Sequence, residues 1–92
     1  MNAIEKQITR KIVEALIADG NKVAVDYDRG YENGLPASTD VDAIIEACDA
    51  VDECWLFVKT GWVYLIWGNG NGMDCISDYT LSLEPIIDGI IE

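Results

Sequence analysis

A chain of 92 residues, half of them hydrophobic, is expected to form a single domain over residues 1–92 with one modest core, and it is too apolar for a disordered tail. Its formal charge of −11, from 17 acidic against 6 basic side chains, argues against direct DNA or RNA binding, and the absence of histidine removes His metal sites and Ser–His or Cys–His nucleophile pairs. No apolar run approaches the ~18 residues a membrane span needs, and Glu5, Lys6, Arg10 and Lys11 interleaved among isoleucines are no signal peptide, so a cytoplasmic protein with no membrane partner is expected.

Residues 3–18 read as an amphipathic helix. Asn2 and Glu5 have capping-box spacing, Ile4, Ile8, Ile12, Ala15 and Leu16 recur at helical intervals, and Gly20 supplies a stop. Lys6, Arg10 and Lys11 fall mostly off that stripe, either on a solvated face or as a small patch that contacts the acidic half of another copy or another protein. Lys22 to Tyr27 alternates, with Val23, Val25 and Tyr27 on one side and Lys22, Ala24 and Asp26 on the other, which predicts a strand with one wet face. From Asp28 to Ser38 the composition turns to Gly, Asn, Pro and charge and reads as a loop. Asp26, Asp28 and Glu32 do not make an EF-hand there, because Tyr31 and Ala37 stand where Gly and Glu are required. Thr39 is placed to cap a second helix over 40–50, whose stripe is Val41, Ile44, Ile45 and Cys48. Asp40 and Asp42 suit the positive end of its dipole; Asp49, Asp52 and Glu53 sit at the wrong end, which hints at another use.

Residues 54–79 form the centre of the chain. Cys54–Lys59 and Trp62–Trp67 are dense in aromatic and β-branched residues around Thr60-Gly61, a tight hairpin that pairs Phe57 with Tyr64 and Leu56 with Leu65. The run from Gly68 to Gly72 leads into a strand, Met73–Tyr79, rather than a helix, and carries no Lys, so it is a hairpin loop and not a phosphate cradle. A five-residue loop aligns Cys75 with Leu65. Ser82 then caps a last helix over 83–91, with Pro85 in its first turn and Leu83, Ile86, Ile87, Ile90 and Ile91 on its apolar side. The predicted fold is α+β: a three- to four-stranded, mainly antiparallel sheet, the meander 54–79 plus strand 22–27, packed by helices 3–18, 40–50 and 83–91.

Both faces of the meander come out apolar, whereas an antiparallel sheet with one wet face should alternate. Either helices cover both sides and Trp55, Phe57, Trp62 and Tyr64 are core, or these four form a semi-exposed patch for a partner. Cys48, Cys54 and Cys75 match no zinc or disulfide framework and are expected to be buried thiols. Nothing else in the chain reads as a catalytic motif, and no cofactor is implied. Residues 1–22 hold four basic side chains (Lys6, Arg10, Lys11, Lys22) and three acids (Glu5, Glu14, Asp19), a balance of +1, which leaves −12 for residues 23–92. A surface so acidic suits a basic protein partner.

The opening Ala3-Ile4-Glu5-Lys6-Gln7-Ile8, the block Gly61-Trp62-Val63, then Gly68-Asn69, Asp74, Ile76-Ser77-Asp78-Tyr79-Thr80 and Leu83-Glu84 resemble small acidic proteins encoded by tailed phages and prophages of proteobacteria, from which the chain departs by an extra Gly-Asn in the loop. The resemblance implies a phage accessory setting in an infected bacterial host, where small acidic proteins include anti-CRISPR and anti-restriction inhibitors that imitate nucleic-acid phosphates. On that basis the expected function is a non-enzymatic inhibitor occupying the basic surface of a nucleic-acid-binding defence protein. Asp49, Asp52, Glu53, Asp74 and Asp78, with Trp55, Phe57, Trp62 and Tyr64, would make the contact. The alternative is a self-associating assembly factor, a homodimer built on the aromatic side without mimicry.

Overall fold

The computed structural model describes residues 1–27, 34–68 and 73–91. Within them the elements run α1 (Ala3–Ala18), β1 (Val23–Asp26), β2 (Gly34–Ser38), α2 (Val41–Asp49), β3 (Glu53–Val58), β4 (Gly61–Ile66), β5 (Ile76–Tyr79) and α3 (Glu84–Ile91). The fold is α+β, and the strands form one antiparallel sheet in the order β2-β1-β3-β4-β5. All three helices send their buried residues into a single cluster: Ile8, Ile12, Val13 and Leu16 from α1, Ile44, Ile45 and Cys48 from α2, and Ile87 from α3 meet Val23, Val25, Cys54, Leu56, Val63 and Leu65 of the sheet. Because strand side chains alternate, every second residue of β1, β3 and β4 points away from that cluster.

Helix α1 has the predicted bounds and the predicted capping box: Glu5 N donates to Asn2 Oδ1 at 2.8 Å and Asn2 N to Glu5 Oε1 at 2.7 Å. Ile4, assigned above to the buried stripe, is instead 52% exposed. Helix α2 is capped by Asp40, whose carboxylate accepts from Ala43 N at 3.2 Å, and not by Thr39. At its other end two aromatic side chains satisfy carbonyls that a helix leaves orphaned: Tyr27 Oη donates to Ala47 O and Trp67 Nε1 to Cys48 O, at 2.8 and 3.1 Å. Before α3 the chain makes a 3₁₀ turn, Leu81–Leu83, so Ser82 is not that helix's cap; its hydroxyl donates to Thr60 O at 2.7 Å.

The sheet has five strands, more than the three or four expected, because the 28–38 stretch read as loop contains β2. Pro36 lacks an N–H for the ladder, and β2 tolerates it by lying at the sheet's edge. Trp55 pairs with Tyr64, Leu56 with Val63, Phe57 with Trp62 and Val58 with Gly61, so the turn is Lys59-Thr60 and the hairpin register differs by two residues from the predicted one. A slip of two preserves which side chains share a face. The third strand of the meander is shorter than predicted: Met73–Cys75 is a 3₁₀ turn, and Leu65 pairs with Ile76 rather than Cys75, beside a register shift between Tyr64 and Leu65. Gly68 has φ of 86°, a conformation that suits glycine; the rest of the Gly-rich run, and Asp28 and Glu32, lie outside the described residues.

Candidate functional site

The helix-free face of the sheet carries Ala24 and Asp26 from β1, Glu53, Trp55 and Phe57 from β3, Trp62, Tyr64 and Ile66 from β4, and Asp78 from β5. None of these belongs to the core cluster or packs against it. The four aromatic residues singled out in the sequence are therefore brought together on one surface. They are not equally accessible: Phe57, Trp62 and Tyr64 are partly exposed, whereas Trp55 is only 8% exposed and stacks on Tyr64 with ring centroids 4.3 Å apart and planes 8° from parallel. Such a stacked cross-strand pair adds about 0.5 to 1.5 kcal/mol beyond its area and stiffens the middle of the face.

Of the five acids expected to act together, the structure places two on this face. Glu53, two residues before Trp55 on the same side of β3, is exposed and accepts a short hydrogen bond from Tyr64 Oη, which fixes the carboxylate beside the rings. Asp78 lies across from Tyr64. Thr80 N donates inward to Trp62 O, so by alternation the Tyr79 amide points to the free edge of β5, where Asp78 Oδ1 accepts from it at 2.8 Å. That bond gives Asp78 a structural task as well, since it occupies an edge amide that would otherwise be open to pairing with another chain.

The other three acids are elsewhere. Asp49 ends α2, where the helix dipole disfavours it, and its compensation is local: the N-terminal ammonium lies at 2.9 Å and Lys6 Nζ at 3.6 Å. The hydrogen bond and charge of that ammonium, aided by Lys6, hold the Asp49 carboxyl below the usual carboxylate range. A depressed carboxylate pKa makes a stabilising contribution that is present at neutral pH and is lost as acid protonates the group. Asp52 is exposed in the α2–β3 connection, its carbonyl accepting from Trp67 N at 3.0 Å, and Asp74 is exposed in the 3₁₀ turn before β5. Arg10 pairs with Asp42 at 2.9 Å, so this basic side chain, like Lys6, is engaged within the molecule.

In the sequence Asp26 stands on the wet side of its strand and fails as an EF-hand ligand. It is 4% exposed on the aromatic side, opposite Trp55. Strand parity was the available signal, since Asp26 alternates with the core residues Val23 and Val25.

Cys48, Cys54 and Cys75 are buried free thiols. A hydrogen bond with Cys48, together with burial, pushes the Cys54 thiol far up, and burial and nearby Glu5 push Cys75 up to about 11. Burial shields all three sulfurs, so an aromatic disulfide reagent at pH 8 is expected to label no cysteine quickly in the native protein and all three after unfolding in guanidinium. Labelling of the native protein at the rate of free cysteine would contradict this environment. Among the described residues no group of three or more Cys, Asp or Glu side chains is arranged to hold a metal ion, and no helix is long and apolar enough to cross a membrane. No protein-family model, curated protein sequence or solved structure matches the chain.

Proposed function

We propose that this chain is a non-enzymatic binding protein that docks its helix-free face on the basic, nucleic-acid-binding surface of a bacterial defence protein, acting as an anti-CRISPR or anti-restriction inhibitor in the cytoplasm of an infected host. The observation that carries the reading is the one-sided packing of the helices. It leaves Phe57, Trp62 and Tyr64 partly exposed next to the carboxylates of Glu53 and Asp78, in a chain of net charge −11. Aromatic side chains in the centre of an interface supply most of its energy, while complementary charge steers encounter and rejects nucleic acid. Asp52 and Asp74 add to the long-range field from outside the aromatic face, whereas the charge of Asp49 is offset by the N-terminal ammonium and Lys6.

Competition in a gel-shift assay tests this. The purified protein is expected to release labelled DNA from a restriction nuclease or CRISPR surveillance complex, more effectively at low salt, and Trp62→Asp is expected to weaken the effect by about 30-fold, as for a central aromatic anchor. Absence of competition at large excess in low salt would overturn the reading.

The same partly exposed aromatic face favours a homodimer as the second reading. Two copies packed face to face would bring the carboxylates of Glu53 and Asp78 from both chains into one interface, which opposes association. Light scattering decides between them: a salt-insensitive dimer broken by Trp62→Asp supports self-association.

A further inference from the structure

We propose that the helix-free face also holds a binding trough for a single-chain aliphatic carboxylate, with the tail over Ala24 and the head group between Lys22 and Lys59. The trough exists because of two local features of β1. Ala24 is the smallest outward side chain in the middle of the sheet and stands directly opposite Phe57 of β3. On its other flank the pairing with β2 slips: Val23 faces Ser38 and Val25 faces Leu35, so Pro36 and Ala37 both stand opposite Ala24 alone. The Ala24 methyl is thus the floor of an open apolar hollow of about 480 Å³, walled by Phe57 on one side and Pro36 and Ala37 on the other, with Asp26 at its far end. At the near end the same walls, Phe57 and Ala37, continue into a second hollow of about 460 Å³ bordered by Lys22 and Lys59.

Charge selects the occupant. Lys6 and Arg10 are ion-paired with Asp49 and Asp42, but among the described residues no carboxylate is ion-paired with Lys22 or Lys59. In a chain with 6 basic side chains against 17 acids, two uncommitted ammonium groups on one hollow, opening onto an apolar channel, match an anion attached to a hydrocarbon tail. Both lysines are exposed, so their side chains are open to a ligand from solvent. From Lys22 to Asp26 the strand advances by about 13 Å, four steps of ~3.3 Å, the reach of an extended chain of about ten carbons. A chain of that length places its head at the lysines and its methyl end short of Asp26.

Isothermal titration calorimetry with decanoate, kept below its micelle concentration, and with 1-decanol as the uncharged control tests the assignment. Saturable binding of one decanoate per chain is expected, with decanol about 3- to 10-fold weaker, the effect of two surface ion pairs. Lys22→Gln with Lys59→Gln should reduce decanoate to the level of decanol and leave decanol unchanged. Ala24→Leu, checked for native circular dichroism, should abolish binding of both. The proposal is overturned if decanol binds as well as decanoate, if the lysine variant is unaffected, or if folded Ala24→Leu binds like the wild type. Because the lysine variant alters only exposed side chains, it remains decisive should Ala24→Leu fail to fold.

Discussion

Replacing Glu5 by glutamine is expected to lower the unfolding free energy by about 2 to 3 kcal/mol, and the melting temperature by roughly 10 to 20 °C. Glu5 is 1% exposed, and both carboxylate oxygens are used: Oε1 accepts from Asn2 N and Oε2 from Gly68 N, each at 2.7 Å. Its own amide donates to Asn2 Oδ1, and its carbonyl accepts from Thr9 Oγ1 at 2.8 Å. One side chain therefore closes the first turn of α1 and ties it to Gly68, two residues past the end of β4. Glutamine has one acceptor oxygen and turns the other position into a donor facing an N–H, so either Asn2 N or Gly68 N loses its partner. A hydrogen bond to a charged group contributes about 1.5 to 3 kcal/mol, and one of the two made by the Glu5 carboxylate is lost. Urea denaturation measures the change. The double variant with Asn2→Ala should be less destabilised than the two single changes added together, because both remove the same capping pair. A Glu5→Gln protein within ~0.5 kcal/mol of wild type would mean that the clamp to Gly68 contributes little.

Half of that clamp is legible in the sequence. Asn2 and Glu5 lie three apart, so the capping box has a local signature, and the helical spacing gives α1 its observed bounds. The bond from Glu5 to Gly68 spans 63 residues and has no local sign at all. The same division runs through the sheet. The alternation in β3 and β4 gives their faces but not their register, since a period of two survives a slip of two. Strand β2 had no such protection: Leu35-Pro36-Ala37 does not alternate, and only its pairing with β1 makes it extended. Thr39 and Asp40 are both good caps in adjacent positions, and composition cannot choose between them; the bond from Ala43 N does.

For the candidate site, residue types showed that Trp55, Phe57, Trp62 and Tyr64 share a side, but not what covers it. That depended on where three helices pack, and all of them chose the side of Leu56, Val63 and Leu65. Nearness in the chain does not put acids on one surface. Glu53 is in a strand on the aromatic side, whereas Asp49, four residues earlier, ends a helix and is held by the N-terminal ammonium and Lys6. The trough over Ala24 was equally hidden, because the pairing irregularity with β2 has no counterpart in any pattern of hydrophobicity.

Gly61→Ala should destabilise the fold by about 2 to 4 kcal/mol, and the cause separates two accounts of this glycine. The sequence placed Gly61 in the turn, where glycine is useful for its left-handed backbone. In the structure it is the first residue of β4, and it is not among the described glycines with positive φ, which are Gly20 and Gly68. What requires glycine is a close approach: a Cβ here would overlap Thr80 Oγ1 and stand 2.9 Å from Ser82 Oγ. Those two hydroxyls are a working unit. Trp62 N donates to Thr80 Oγ1 at 3.2 Å, the hydroxyls lie 3.2 Å apart, and Ser82 Oγ donates to Thr60 O, which ties the hairpin turn to the segment entering α3. An alanine methyl must expel the Thr80 hydroxyl, leaving Trp62 N without its partner. If steric exclusion is the cause, Gly61→Ala combined with Thr80→Ala should be markedly less destabilised than the sum of the single variants, since the obstructing oxygen is already gone. Strict additivity in urea denaturation would instead return Gly61 to a role in backbone conformation and remove the hydroxyl pair from the account of how β4 is held.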